Sequence, residues 1–287
     1  MEILYHYCST AAFYSIVSSR ALWLSSLSLS SDSAEGKLVA SAIRRLAIKD
    51  ELDKHATDRL LQSVAGVESV VDGFGFCLSE AGDLLSQWRG YAQDGTGVAI
   101  GFSKQYLEKL AEASRHPEST GFTLQTVSYS EVEHEDHVRD TYAKVRELID
   151  QGAFKIPGFR SLLDTRTDEE IEAEAQQIRG VYSRLSMTIL TLFSELFLLK
   201  SDAFVEEREW RLLSYYGRVK SDTCLFRTSV TKLIPYRSFE LKDLDELPIT
   251  EILLGPKHET PVQVVEDILR QAGFGEVTVK KSRATYR

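Results

Sequence analysis

Apolar and polar positions near the start of the chain predict a strand, a helix and a second strand. Residues 2–8 are dense in aromatic and β-branched side chains, as strands are. Ser9 is a plausible N-cap, and the apolar residues of 10–19 fall on one helical face. Residues 21–25 (Ala-Leu-Trp-Leu-Ser) return to strand character. The opening of the chain is therefore predicted to be a compact strand–helix–strand unit.

The remaining pattern predicts strands towards both ends of the chain and helices between them. Strands are predicted over 73–79, 96–102, 122–129, 209–216, 224–227, 232–237, 249–254 and 276–280. Helices are predicted over 37–64, 83–92, 104–113, 131–151, 167–199 and 261–272. Thr167 and Glu170 match a capping box at the start of the fifth helix. This order predicts a single α+β domain over 1–287 with a helical insertion over 131–200.

Composition is typical of a soluble globular protein. The chain has 287 residues, 43% hydrophobic and 27% charged, enough apolar material for a sizeable core. Its net charge of −9 argues against a chain-wide basic surface for nucleic acid, although a local basic groove stays open.

Cysteine usage and hydropathy bear on the compartment. Three widely spaced cysteines fit a reducing environment, and the first residues lack the pattern of a signal peptide. The longest apolar run, 187–199, is shorter than the roughly 20 residues that span a bilayer. We expect a cytoplasmic protein without a membrane partner. The sequence does not indicate an oligomeric state.

His6 is the first candidate for chemistry. Alternation along the first strand puts His6 on one face with Leu4 and Cys8, and Tyr5 and Tyr7 on the other. A histidine at a sheet margin is more often a hydrogen-bonded structural residue. The functional alternative is a neutral imidazole that hydrogen-bonds to a ligand hydroxyl.

Trp88 and Tyr91 are a second candidate, because the spacing i, i+3 puts them on one face of a short helix. Such an aromatic pair packs in a core more often than it forms a platform for a ligand. Gly90 lies between them and would permit a close approach.

The segment Glu207-Arg-Glu-Trp-Arg211 carries an unusual density of charge for a strand. If the strand begins at Glu207, then Glu207, Glu209 and Arg211 share one face. Arg211 could simply pair with a neighbouring carboxylate on a solvated face. Alternatively, a carboxylate in a cleft could bind a sugar hydroxyl or stabilise an oxocarbenium-like transition state.

The sequence lacks the motifs of several common catalytic mechanisms. It contains no Walker A run, no G-x-S-x-G elbow and no H-E-x-x-H motif. Asp94-Gly95 indicates a turn, and residues 134–137 (His-Glu-Asp-His) are more typical of a solvated helix face than of a metal site. Asp32 and Glu35 lie in a serine-rich loop and are weaker candidates.

Several segments together resemble a bacterial family, domain of unknown function 2971, over nearly the whole chain. They are Leu4-Tyr-His-Tyr-Cys-Ser9, Leu22-Trp-Leu-Ser25, Phe76-Cys-Leu-Ser79, Trp88 with Tyr91-Ala92, Gly97-Val-Ala-Ile-Gly-Phe102, Glu207-Arg-Glu-Trp-Arg-Leu212, Ile252-Leu-Leu-Gly-Pro256 and 282–287. The family usually shows an Asn-Asp-Pro-x-x-Glu-like run after the second strand. This chain departs from it with Ser31-Asp-Ser-Ala-Glu35.

A looser resemblance links the order of these elements to ADP-ribosyltransferase folds, and it is a likeness at the level of the fold. It implies a strongly bent, mixed β-sheet core formed by the N- and C-terminal strands. It also implies NAD as the substrate and no metal. By this resemblance His6 would bind a ribose, an aromatic residue would stack on nicotinamide, and Glu209 or Glu207 would hold the other ribose. The residues that would bind the dinucleotide are His6, Tyr7, Trp23, Ser25, Phe76, Trp88, Tyr91 and Arg211.

The resulting hypothesis is an NAD glycohydrolase, or a transferase to a protein or nucleic-acid acceptor, with a possible toxin-like role in anti-phage defence. One alternative is a non-catalytic sensor or adaptor that binds a nucleotide or a phage component. Another is a Mg²⁺-dependent nuclease using Glu207 and Glu209, with Asp32 and Glu35. The enzymatic hypothesis requires that folding bring His6 and the two glutamates to one cavity.

Overall fold

A computed structural model describes residues 2–30, 36–115, 121–156, 166–217, 224–229, 231–275 and 277–286. The strands are β1 (Ile3–Cys8), β2 (Ala21–Ser26), β3 (Val71–Ser79), β4 (Val98–Ser103), β5 (Thr123–Thr126), β6 (Glu209–Gly217), β7 (Leu225–Thr228), β8 (Leu233–Glu240), β9 (Ile249–Leu254) and β10 (Thr278–Lys281). The helices are α1 (Thr10–Ser19), α2 (Leu38–Lys49), α3 (Lys54–Val70), α4 (Leu85–Tyr91), α5 (Lys104–Ser114), α6 (Glu131–Asp150), α7 (Asp168–Leu190) and α8 (Val262–Gln271). Short 3₁₀ helices cover Thr191–Ser194 and Asp202–Glu207.

The described strands form one sheet with the order β10-β9-β4-β1-β3-β2-β8-β7, and β6 pairs with both β3 and β5. The pairs with a defined register are antiparallel, apart from the parallel pair β9–β10. This mixed architecture with a mostly antiparallel sheet confirms the predicted α+β class, and the strongly bent core implied by the ADP-ribosyltransferase resemblance stays a prediction.

The chain divides into two compact units. The first comprises Met1–Ser31, Asp72–Val127 and Asp202–Arg287 and contains the sheet with α1, α4, α5 and α8. The second comprises Asp32–Val71 and Ser128–Ser201 and contains α2, α3, α6 and α7. The prediction of one domain with an insertion over 131–200 stays a prediction.

Strand alternation separates the two faces of the sheet in the first unit. The main core, as we call it, joins apolar residues of α1, α5 and α8 to strand residues such as Leu4, Phe76, Ile100 and Leu212. A smaller cluster on the opposite face, the α4 cluster, consists of Tyr7, Trp88, Ala92, Ala99 and Leu253. Successive residues of a strand point to opposite faces of the sheet. The face of any strand residue therefore follows from whether its neighbours in the strand belong to the main core or to the α4 cluster.

Local signals at helix ends and turns are confirmed. Ser9 accepts a hydrogen bond from the amide of Ala12, and Thr167 forms the predicted capping box with Glu170. The predicted turn at Asp94-Gly95 has φ angles of 56° and 86°. These signals depend on a few neighbouring residues, which explains why they could be predicted from the sequence.

Two predicted helices differ from those observed. The helix predicted over 37–64 is split into α2 and α3, because Glu51 adopts a left-handed φ of 51° and Asp53 caps α3. The helix predicted over 167–199 ends at Leu190 and continues as a 3₁₀ turn. Within the ranges described above, no helix is long and apolar enough to cross a bilayer.

Candidate functional site

The candidate site centres on strand β3, whose ladders to β1 and β2 engage different parts of the strand. β1 pairs with β3 at Tyr5–Ser79, whereas β2 pairs at Ser25–Gly75 and Ser26–Phe74. Between these positions, the carbonyl oxygen of Cys77 lies 2.8 Å from Nδ1 of His6. A histidine side chain therefore bonds to the β3 backbone in the interval between the two ladders.

The environment of His6 fixes its protonation and tautomer. The ring stacks on Phe76, with centroids 3.9 Å apart and planes inclined by 22°. Burial lowers the pKa of His6 to about 4, so the ring is neutral at pH 7. A carbonyl oxygen only accepts hydrogen bonds, so Nδ1 carries the proton and Nε2 is the acceptor. No described residue hydrogen-bonds to Nε2.

Phe76 belongs to the main core and is fully enclosed. It is 3% exposed, with one face covered by His6 and an edge-to-face contact to Phe102 at 5.8 Å. Its ring supports the imidazole. Stacking a ligand on Phe76 would require displacement of one of these neighbours.

Tyr91 and Glu207 meet beside the last residue of β3. The hydroxyl of Tyr91 donates to Oε1 of Glu207 over 3.1 Å, and the hydroxyl of Ser79 donates to the Glu207 carbonyl over 2.6 Å. Tyr91 is 42% exposed, whereas Glu207 is 7% exposed. Cys77 and Ser79 are two residues apart, about 7 Å along a strand. His6 and Glu207 therefore contact the same short segment of β3, His6 on the main-core face and Ser79 with Glu207 on the opposite face.

The structure corrects the expectation that Glu207 shares a strand face with Glu209. Glu207 ends the 3₁₀ helix Asp202–Glu207, and β6 begins at Glu209. Arg208 between them has a left-handed φ of 41°, which breaks the alternation that a continuous strand would impose. The direction of the Glu207 side chain is therefore not fixed by the alternation of side chains along β6.

Glu209 and Arg211 form a buried ion pair on β6. Nε of Arg211 lies 2.7 Å from Oε1 of Glu209, and Nη2 lies 3.0 Å from Oε2. Their neighbours Trp210 and Leu212 pack against the main core, so alternation turns Glu209 and Arg211 to the opposite face. His6 shares a face of β1 with Leu4 and Cys8 of the main core, so it lies on the opposite face of the sheet from Glu209.

Tyr7 and Trp88 are packing residues of the α4 cluster. Trp88 is completely buried, makes an edge contact with Tyr7 at 4.8 Å and donates its indole N–H to Asp83 over 2.7 Å. The Tyr7 hydroxyl donates to the carbonyl of Ala81 and accepts from the amide of Leu84. Tyr91 is therefore the exposed member of the helical pair that the sequence singled out.

Trp23 and Ser25 lie on β2, on the face away from the main core, because they alternate with its members Leu22 and Leu24. Trp23 packs on Tyr236 with centroids 4.8 Å apart, and Ser25 accepts a hydrogen bond from Nε of Arg227 over 3.1 Å. Desolvation lowers the pKa of Arg227. Both of these residues, which were predicted to bind the dinucleotide, thus lie on a polar and aromatic surface of β2 and β8.

Glu207 and Glu209, which were considered as metal ligands, belong to no metal-binding group of described residues. Within the described ranges, no group of three His, Cys, Asp or Glu side chains is placed to hold a metal ion. Glu135 instead binds Arg45 and Lys49, and His134 hydrogen-bonds to the carbonyl of Ser128. Asp32 and Glu35 lie outside the described residues.

Ser79 is a residue of the candidate site whose role its residue type does not reveal. A single serine carries no motif, yet the hydroxyl of Ser79 donates a hydrogen bond to the backbone carbonyl of Glu207. The available signal was its place at the end of Phe76-Cys-Leu-Ser79, a segment that carries the family resemblance.

The comparisons with known proteins give one match. The family model described as protein of unknown function (DUF2971) matches residues 87–212, which supports the resemblance to that family. The matched stretch contains Tyr91, Glu207 and Glu209, whereas His6 precedes it. No curated protein and no solved structure matches the chain.

Proposed function

We propose that the first unit binds NAD at the Cys77–Ser79 segment of β3 and cleaves its bond to nicotinamide. The observation that carries this proposal is that the Cys77–Ser79 segment bonds to a neutral imidazole (His6) on one face and to the Glu207 backbone on the other, where the Glu207 carboxylate accepts from the exposed Tyr91. A dinucleotide that crosses this end of β3 would contact all three groups. These are the three kinds of group that the resemblance to ADP-ribosyltransferase folds implies for NAD cleavage.

His6 suits the binding of a ribose hydroxyl. With Nδ1 donating to Cys77, the neutral ring offers Nε2 as an acceptor, and its stacking on Phe76 limits rotation. A fixed acceptor reduces the entropy lost when a substrate is oriented. At pH 7 it also adds no positive charge beside a cationic nicotinamide ring.

Tyr91 and Glu207 suit the bond-breaking step. The exposed Tyr91 ring offers a surface on which nicotinamide stacks, and its hydroxyl orients the Glu207 carboxylate. When nicotinamide leaves with the electron pair of the C–N bond, positive charge develops on the ribose. A preorganised carboxylate stabilises that charge electrostatically.

We assign the role of this carboxylate to Glu207 and not to Glu209. Both oxygens of Glu209 accept hydrogen bonds from Arg211, which fixes this carboxylate at the start of β6. Oε1 of Glu207 accepts a hydrogen bond from the hydroxyl of the exposed Tyr91 ring, the surface proposed for nicotinamide. We therefore assign Glu209 a positioning role at the start of β6 and Glu207 the catalytic role.

The acceptor completes the reaction. Water would give ADP-ribose, and a nucleophile on a protein or nucleic acid would give an ADP-ribosylated product. Consumption of NAD or modification of nucleic acid in the cytoplasm would be toxic, which is consistent with a role in anti-phage defence.

The test is release of nicotinamide from NAD by the purified full chain, first alone and then with nucleic acid or bacterial lysate as acceptor. We expect Glu207→Gln to reduce kcat about 10²–10³-fold, as for loss of one strong electrostatic contact in a transition state. Tyr91→Phe should reduce it about tenfold, because the carboxylate stays but loses its orienting hydrogen bond.

Two matched controls separate these effects from general damage. Glu206→Gln changes the exposed neighbour of Glu207, and Tyr14→Phe changes an exposed tyrosine on α1. Both should retain wild-type release. Absence of nicotinamide release from the folded wild-type chain under every acceptor condition would refute the enzymatic proposal.

The alternatives predict different results in the same assays. A sensor or adaptor would bind NAD or another nucleotide in calorimetry without turnover, and Glu207→Gln would leave its cellular activity intact. A metal-dependent nuclease would cleave nucleic acid only with Mg²⁺ and lose activity on chelation.

A further inference from the structure

A serine, a histidine and a glutamate are linked by hydrogen bonds in the second unit. The hydroxyl oxygen of Ser128 lies 2.9 Å from Nε2 of His137, and Nδ1 of His137 lies 2.7 Å from Oε2 of Glu195. Ser128 precedes α6, His137 lies on its second turn, and Glu195 follows the 3₁₀ helix Thr191–Ser194. Three separate segments thus contribute to the arrangement.

The directions of these hydrogen bonds follow from their chemistry. A carboxylate only accepts, so Nδ1 of His137 carries a proton and donates to Glu195. In the neutral ring Nε2 is then an acceptor and receives the hydroxyl proton of Ser128. This is the order of donors and acceptors in which an imidazole acts as a general base for a serine nucleophile.

The backbone fixes Ser128 in this position. Its amide donates to the carbonyl of Leu198 over 2.8 Å, and its carbonyl accepts from the amide of Lys200 over 2.9 Å and from Nε2 of His134 over 3.0 Å. Glu195 is held in turn by the hydroxyl of Ser194 over 2.8 Å. The serine and the carboxylate are therefore both preorganised.

The triad is accessible from solvent. The side chains of His137 and Glu195 are 28% and 23% exposed, and Ser128 is half-buried. A reagent can therefore approach the hydroxyl without unfolding of the unit.

We propose that Ser128, His137 and Glu195 form a second reactive centre, in which Ser128 is the nucleophile towards neutral ester or acyl substrates. The surrounding carboxylates, Glu133 and Asp136 on α6 together with Glu195, disfavour an anionic substrate. The residues of this centre belong to the second unit, so its chemistry is independent of NAD cleavage at β3.

The reaction balances without an added cofactor. Oγ of Ser128 attacks the acyl carbon while its proton passes to Nε2 of His137. The bond from the acyl carbon to the leaving group breaks, and the leaving group takes that proton. Water then attacks the acyl-serine by the same route, which releases the acid and restores the hydroxyl.

The neighbouring amides limit the expected rate. The amide of Ser128 is bonded to Leu198, and those of Tyr129 and Ser130 donate to the Glu133 carboxylate. These three groups do not form an oxyanion hole, and one such donor typically contributes 10²–10³-fold to kcat. We therefore expect selective modification of Ser128 with slow turnover.

The experiment exposes the purified full chain to a fluorophosphonate probe and locates the adduct by peptide mass spectrometry. We expect Ser128 to react at least tenfold faster than any other serine. Glu195, Glu133 and Asp136 raise the pKa of His137, so labelling should increase as the pH rises through the pKa of its ring.

Variants identify the base. Ser128→Ala should abolish the adduct, and His137→Gln should slow labelling about 10²–10⁴-fold, the usual contribution of general-base catalysis. Ser186→Ala, at an exposed serine of α7, should leave labelling unchanged. Circular dichroism verifies the fold of each variant. Absence of an adduct at Ser128 of the wild type, or equal labelling of a folded His137→Gln variant, would overturn the proposal.

Discussion

Glu209 and Arg211 lie two residues apart on β6 and are joined by two hydrogen bonds while almost fully buried. The Arg211 side chain is 1% exposed and that of Glu209 is 6% exposed. Burial of two charges is costly, and their mutual attraction offsets that cost only while both are present. The contribution of each residue to the free energy of unfolding therefore depends on the presence of the other.

Substitution of one partner should destabilise the protein strongly. Glu209→Leu leaves the Arg211 guanidinium buried without its bidentate carboxylate, and we expect a loss of about 3–5 kcal/mol in the free energy of unfolding. Urea denaturation followed by tryptophan fluorescence measures this loss. The double variant Glu209→Leu/Arg211→Met should recover much of it, whereas strictly additive effects would contradict the coupling.

The buried state of His6 predicts that stability falls with acidity. The pKa of His6 is about 4 in the folded protein against 6.5 in the unfolded chain. Above pH 6.5 the ring is neutral in both states and has no effect. As the pH falls from 6.5 to 4, the unfolded state binds more protons than the folded state, so the free energy of unfolding decreases. The decrease amounts to about 3 kcal/mol, at 1.36 kcal/mol per unit of pKa difference.

His6→Gln tests this prediction, because the variant lacks the titrating ring. Its free energy of unfolding should decrease less than that of the wild type as the pH is lowered from 7 to 4. Parallel pH profiles for the two proteins would show that His6 is not buried in its neutral form.

His137 should behave in the opposite way. The hydrogen bond that His137 donates to Glu195 raises the pKa of His137, and the charges of Glu195, Glu133 and Asp136 add to the effect although desolvation opposes it. Its contribution to stability is complete below pH 6.5 and is lost as the pH rises through the folded pKa. Proton NMR titration of the histidine rings measures the shift directly, and Glu195→Gln should lower the pKa of His137.

Asp83 fastens the C-terminal segment to the start of α4. Its carboxylate accepts from the indole of Trp88 at 2.7 Å, the hydroxyl of Ser282 at 2.5 Å and the amide of Arg283 at 2.7 Å. Burial alone would raise the pKa of Asp83, but the hydrogen bonds, that of Ser282 foremost, outweigh it and lower the pKa.

Asp83→Ala should therefore loosen residues 282–286, which Leu254 and Asp94 still contact, and leave a buried indole N–H without its acceptor. We expect a loss of about 1–3 kcal/mol in stability and faster amide hydrogen exchange at 282–286. Asp267→Ala removes an aspartate on the surface of α8 that pairs with Arg270, and it should change neither measurement. Unaltered exchange at 282–286 in the Asp83 variant would contradict the assigned contact.

Local pattern was sufficient to predict much of this protein. The β1 alternation of Leu4, His6 and Cys8 against Tyr7 and the capping box at Thr167 were predicted correctly, since each depends on neighbouring residues alone. The prediction was wrong at Glu207, because the left-handed backbone of Arg208 breaks a period that the side-chain pattern does not reveal.

Only the tertiary structure decided which of these residues meet. Tyr91 and Glu207 are 116 positions apart, and His137 and Glu195 are 58 apart. Their contacts depend on how strands, turns and helices pack, which is a property of the whole chain. The sequence determined the chemistry that each side chain offers, and packing determined which groups act together, because a hydrogen bond requires atoms within about 3 Å whatever their separation along the chain.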